Sequence, residues 1–147
     1  MFTKTKTTVA MGVLVLALTA CSPGGSTNGG SSNGGSSNGQ GSQEAQNLQT
    51  AISAVDNVSE VTARYTVKSG MGSTVNVRIT AAAGTPSLET VMTDSLTAFA
   101  GAAEGIKTTA GVSFQVTESG ADNTINPTAV GLQQSPTVAE IIDFAGL

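Results

Sequence analysis

Two alternating stretches decide the fold: Val61-Thr62-Ala63-Arg64-Tyr65-Thr66-Val67-Lys68 and Thr74-Val75-Asn76-Val77-Arg78-Ile79-Thr80-Ala81. A period of two puts Val61, Ala63, Tyr65 and Val67 on one face of a strand and Thr62, Arg64, Thr66 and Lys68 on the other. The second stretch repeats the pattern, with Val75, Val77, Ile79 and Ala81 opposite Asn76, Arg78 and Thr80. Between them, Ser69-Gly70-Met71-Gly72-Ser73 offers two glycines free to take positive φ, the chemistry of a hairpin turn. The two strands match face for face, which predicts an antiparallel pair. A three-residue Gly70-Met71-Gly72 turn sets Arg64 directly across from Arg78, an arrangement of like charges that costs some tenths of a kcal/mol.

Upstream, Leu48, Ile52 and Val55 fall at helical spacing, predicting a helix from Gln43 to about Val55 with Ser42 as its N-cap. Downstream, Gly84-Thr85-Pro86 opens the longest helix, with Thr85 as N-cap and Pro86 at the first helical position. Its apolar stripe is Leu88, Val91, Met92, Leu96, Phe99, Ala100 and Ala103, and Gly105 follows as a stop. Gly111–Thr117 alternates as a third strand, with Val112, Phe114 and Val116 inward and Ser113, Gln115 and Thr117 outward. Ala129–Leu132 reads as a short edge strand, and Ser135-Pro136 opens a last helix carrying Val138, Ile141, Ile142 and Ala145.

The order α-β-β-α-β(-β-α), with strands polar on one face and helices apolar on one stripe, predicts an α+β two-layer sandwich. Its expected form is an antiparallel sheet of three to four strands with the helices on one face. This order resembles the ferredoxin-like and BON-like arrangements, small α+β modules found in bacterial envelope proteins.

The chain before residue 43 is different in kind. Lys4 and Lys6 precede the apolar run Val9–Leu18, and Thr19-Ala20 lead to Cys21, the layout of a secretory signal peptide. The run is short of the roughly 20 residues a stable membrane span needs. Leu18-Thr19-Ala20-Cys21 resembles the bacterial lipobox. That resemblance implies cleavage between Ala20 and Cys21, a diacylglyceryl group on the Cys21 thiol and an N-acyl group on the new terminus. It places the protein at the cell membrane, lipid-anchored on the extracytoplasmic face, or at the outer membrane of a diderm cell, since Ser22 rather than Asp follows the cysteine. Each buried methylene contributes about 0.8 kcal/mol, so two or three acyl chains hold a protein firmly. Ser22–Ser42 repeats Ser, Asn and Gly without an aliphatic side chain. It is a flexible tether spanning about 25 Å, at roughly 5–6 Å × √n. The expected organisation is therefore residues 1–20 as a lipoprotein signal peptide, 21–42 as lipidated cysteine and tether, and 43–147 as one small domain.

Composition narrows the chemistry. The chain has no histidine and one cysteine, so Ser-His and Cys-His nucleophiles, Cys-based metal clusters and disulfide frameworks are out of reach. No Ser-x-x-Lys occurs in the domain. The acid pairs Asp56/Glu60, Glu89/Asp94 and Glu140/Asp143 read as helix ends and solvated faces. Asp122-Asn123 lacks a third acid at calcium-loop spacing. The expectation is a protein that is not an enzyme and has no cofactor. Beyond the signal, four basic residues (Arg64, Lys68, Arg78, Lys107) stand against ten acids, which argues against nucleic acid as a partner. Three of those four fall on the outward sheet face.

Arg64, Lys68, Arg78, Thr62 and Gln115 are thus the candidate binding face, suited to an anionic protein or envelope partner. The alternative is a solvated polar face whose charges discourage edge-to-edge aggregation. The leading reading is a lipid-anchored envelope protein with a non-catalytic binding or spacer domain. A second is a phage- or prophage-encoded surface lipoprotein that blocks superinfection, and a third is a small Ser/Asp/Glu hydrolase.

Overall fold

A computed structural model of the chain describes residues 40–68, Gly70 and 72–147; Ala20, Cys21 and most of the tether lie outside the described residues. The elements are α1 (Gln40–Ser53), β1 (Val58–Lys68), β2 (Gly72–Ala81), α2 (Leu88–Ala102), β3 (Gly111–Glu118), β4 (Thr124–Ile125), a 3-10 turn (Pro127–Val130) and α3 (Val138–Ala145). The fold is α+β, with the strands in the spatial order β1-β2-β3-β4.

The sheet is mixed, not antiparallel throughout. β1 pairs antiparallel with β2, and β3 with β4, but β2 and β3 run parallel, Thr74 beside Gly111 through Ala81 beside Glu118. The reason is the connection. β2 ends at Ala81, and the 15-residue α2 carries the chain back along the sheet before β3 begins. A strand that returns through a helix starts at the same end as its neighbour and must run parallel to it.

β2, central and doubly paired, alternates without a break. Val75, Val77, Ile79 and Ala81 are buried while Thr74, Asn76 and Arg78 are exposed. Val112, Phe114 and Val116 of β3 continue the inner face. On it lie Leu48 and Ile52 of α1, Leu88, Val91, Met92, Leu96 and Phe99 of α2, and Val138 and Ile141 of α3. Phe99 meets Phe114 edge to face at 6.1 Å between ring centres, a geometry adding about 0.5–1.5 kcal/mol beyond area burial. β1 is less completely covered. Ala63 is buried, Val61 and Tyr65 are half-buried, and Val67, expected to face in, is 38% exposed.

Several element ends differ from expectation. α1 begins at Gln40, so Ser42 is inside the helix rather than at its cap, and α1 ends at Ser53. Asn57 then turns the chain with φ 63°, a conformation Asn tolerates better than most side chains. Ser59 is the extra residue of a bulge between Val58 and Glu60, and its hydroxyl donates to the Thr80 carbonyl at 2.8 Å. α2 is capped by Ser87, whose hydroxyl accepts from the Thr90 N–H; Thr85 instead donates to the Ala82 carbonyl, and Pro86 precedes the cap. Residues 129–132 are not a strand. Asn126 accepts from the Thr128 N–H, and Pro127 starts the 3-10 turn. The short strand is Thr124–Ile125. α3 is capped by Thr137 in a reciprocal capping box with Glu140, two residues after Ser135.

Both sheet edges are covered in part. Along β3, Val112 donates to the Pro136 carbonyl and Val138 to that of Ala110, while β4 pairs with Val116 and Thr117. Along β1, the Gln49 amide of α1 donates to the Ala63 carbonyl at 3.4 Å. These contacts blunt the edges against pairing with another chain.

Candidate functional site

The helices occupy one face of the sheet, so the other carries only what the alternation sends outward. The observed register arranges those side chains in rows: Thr66, Thr74 and Gly111; Arg64, Asn76 and Ser113; Thr62, Arg78 and Gln115; Glu60, Thr80 and Thr117. The last row reaches β4, where the Thr117 and Thr124 hydroxyls lie 2.9 Å apart.

Arg64 does not lie across from Arg78. Lys68 pairs with Gly72, so the hairpin closes around residues 69–71, one residue earlier than expected, and Gly70 and Gly72 hold φ of 84° and 80°. Each pairing therefore shifts by two. Arg64 faces Asn76, Arg78 faces Thr62, and the two guanidinium-bearing residues stand on a diagonal, about 7–8 Å apart by usual sheet geometry. The direct opposition of like charges is relieved.

A depression of about 390 Å³ opens between them, lined by Thr62, Arg64, Asn76, Val77, Arg78, Ser113 and Gln115. Val77 belongs to the core by its side chain, which is 1% exposed on the opposite face. The six remaining side chains are exposed and polar, and none is acidic. Neither guanidinium has a hydrogen bond or ion pair with another described residue. Four of the five expected face residues, Thr62, Arg64, Arg78 and Gln115, meet here. Lys68 does not, since it sits two rows away at the hairpin. Asn76 and Ser113 complete the lining, and the outward parity of their strands was the signal for them.

A second depression, about 360 Å³, follows the seam of α1 and β1 from Gly41 to Gln49 and from Ala63 to Thr66. Arg64 stands at the border of the two.

No acid lines either depression, although Glu60 stands on the same face, diagonal to Arg78 and one row outside the lining. Glu89, Asp94 and Asp143 are exposed on the helical layer, and Glu140 is committed to the α3 cap. Its carboxylate is held below the usual range by the Thr137 backbone N–H above all, then by the Thr137 hydroxyl and the Gln133 amide. Asp122 is exposed in a loop whose Asn123 carbonyl accepts from the Glu118 N–H. Among the described residues no group of three His, Cys, Asp or Glu side chains is placed to hold a metal, and no helix is long and apolar enough to cross a membrane. Compared with known proteins, the chain matches no family model, no curated protein and no solved structure.

Proposed function

We propose that this chain is a lipid-anchored envelope protein. Cys21 carries the anchor, and the domain binds an anionic partner outside the membrane through its open sheet face. The observation that carries the binding reading is the acid-free depression holding Arg64 and Arg78. In a chain with an excess of acids, two guanidiniums with no partner among the described residues, brought together on one surface, form a local positive site. Guanidinium presents donors in a rigid fork that matches carboxylate and phosphate oxygens.

The anchor reading rests on Leu18-Thr19-Ala20-Cys21 and the Gly/Ser/Asn stretch after it. The anchor sets the domain within a tether's reach of the membrane surface, so even a weak site meets envelope components at high effective concentration. No step of this reading needs a catalytic group or cofactor.

The test is capture by cross-linking in cells that display the full chain, comparing wild type with the Arg64→Glu/Arg78→Glu variant at equal level. The reading predicts an envelope component held by the wild type and lost from the variant. Equal capture by both assigns the sheet face to solvent. The anchor is checked separately, because Cys21→Ser is expected to move the protein from the membrane fraction to the medium or periplasm.

A further inference from the structure

Resting on the reading of the sheet face as a binding site, we infer that its partner is a carboxylate-bearing glycan. No outward residue of β1, β2 or β3 is aromatic or aliphatic; the face presents Thr, Ser, Asn, Gln, Gly, two Arg, Lys68 and Glu60. Single-stranded nucleic acid is held by a row of aromatic side chains along a strongly basic groove, and this face has no aromatic and only two arginines at the depression. Protein hot spots are enriched in Trp, Tyr and Arg set in a well-packed, desolvated patch, and this face offers the arginines with no aromatic or apolar side chain to pack around them. What it does offer is hydroxyl and amide groups beside both guanidiniums within the depression, with Glu60, diagonal to Arg78, as the one acid on the face. Those groups can donate to and accept from the hydroxyls of a sugar, while each guanidinium pairs with an acid group.

The form of the anion follows from the backbone. β2 is paired on both sides along its length, so its N–H groups are engaged in the ladders and cannot converge on a ligand. Phosphate sites commonly add such N–H groups, from a helix start or a turn, to their cationic side chains. Here each anionic group meets a single guanidinium in its own row, Arg64 beside Asn76 or Arg78 beside Gln115. That suits a planar carboxylate gripped by two parallel N–H···O bonds. On one side the rows continue as Thr66 and Thr74 towards Lys68, free of acid, whereas on the other Glu60 shares the row of Thr80 and Thr117, so a chain of acidic sugars runs from the depression towards the hairpin.

The experiment is a binding titration of the full chain in detergent with oligogalacturonate, with poly-L-glutamate of matched charge, and with neutral dextran. Oligogalacturonate is expected to bind best and dextran not at all. Arg64→Gln or Arg78→Gln should each weaken oligogalacturonate about tenfold, the loss of one charged hydrogen-bonded pair. Gln115→Ala should weaken it about threefold while leaving poly-L-glutamate unchanged. Poly-L-glutamate binding as well as oligogalacturonate would overturn the glycan assignment and leave the anionic-face reading standing. No binding of either polyanion, or binding indifferent to both arginines, would overturn the two together.

Discussion

Arg64 and Arg78 stand in adjacent rows of the uncovered sheet face, diagonal to one another, with Asn76 directly opposite the first and Thr62 directly opposite the second. Neither guanidinium has a hydrogen bond or ion pair with another described residue, so neither has a visible part in holding the fold. Arg64→Gln and Arg78→Gln are accordingly expected to change unfolding free energy by less than about 0.5 kcal/mol, the usual range for exposed sites. Urea denaturation checks this. A loss well above 1 kcal/mol in either variant would mean that the guanidinium is structural.

Gly41 lies against the edge of β1 so closely that a Cβ there would sit 2.6 Å from the Tyr65 carbonyl oxygen. On helix propensity alone, alanine gains up to about 1 kcal/mol over glycine. The clash with main chain outweighs it, because either α1 or β1 must move. Gly41→Ala is expected to destabilise by about 1–2 kcal/mol. A melting temperature equal to or above wild type would show that α1 does not pack against β1 at this spacing.

Ser95 is fully buried in α2, and its hydroxyl has no hydrogen-bond partner among the described residues. A buried polar group left unsatisfied costs about 1–3 kcal/mol. Alanine keeps the helix and removes the hydroxyl, so Ser95→Ala should raise stability by about 1 kcal/mol, read from the same urea curves. A loss of stability instead would mean that the hydroxyl has a partner in solution.

Glu140 closes the capping box of α3, and the Thr137 hydrogen bonds lower its pKa. Because the folded value lies below the unfolded one, the carboxylate's contribution is fully present above the ordinary range near 4.5. It is lost as pH falls through the lowered folded value. Wild type and Glu140→Gln should therefore differ in melting temperature at neutral pH and converge as pH falls below the ordinary carboxylate range. Parallel curves over that range would contradict the capping role. Thr137→Ala, which removes the cap itself, should cost about 1 kcal/mol at neutral pH.

These residues also mark how far the sequence could be read. The alternation through Val75, Val77 and Ile79 assigned every outward side chain of β2 correctly, because a strand buried on one face leaves no choice of parity. Parity does not report direction. The parallel pairing of β2 with β3 is nonetheless legible in the helix between them, whereas a polar outer face is the mark of an antiparallel sheet. The hairpin register is not legible in Ser69-Gly70-Met71-Gly72-Ser73, which offers two centres for a three-residue turn; the pairing of Lys68 with Gly72 takes the earlier one. Asn126-Pro127 carried a readable cap signal for the 3-10 turn. Thr124–Ile125 carried none, since two residues show no period and tertiary pairing alone makes them a strand.

The most direct test of the central claim is a map of backbone amide shifts in the full chain as oligogalacturonate is added. The account predicts shifts concentrated at Thr62, Arg64, Asn76, Arg78, Ser113 and Gln115, fading towards the helical layer, and abolished in Arg64→Glu/Arg78→Glu. Shifts gathered elsewhere, at the α1–β1 seam beyond Arg64 or around Lys107, or a map unchanged by the double substitution, would contradict it.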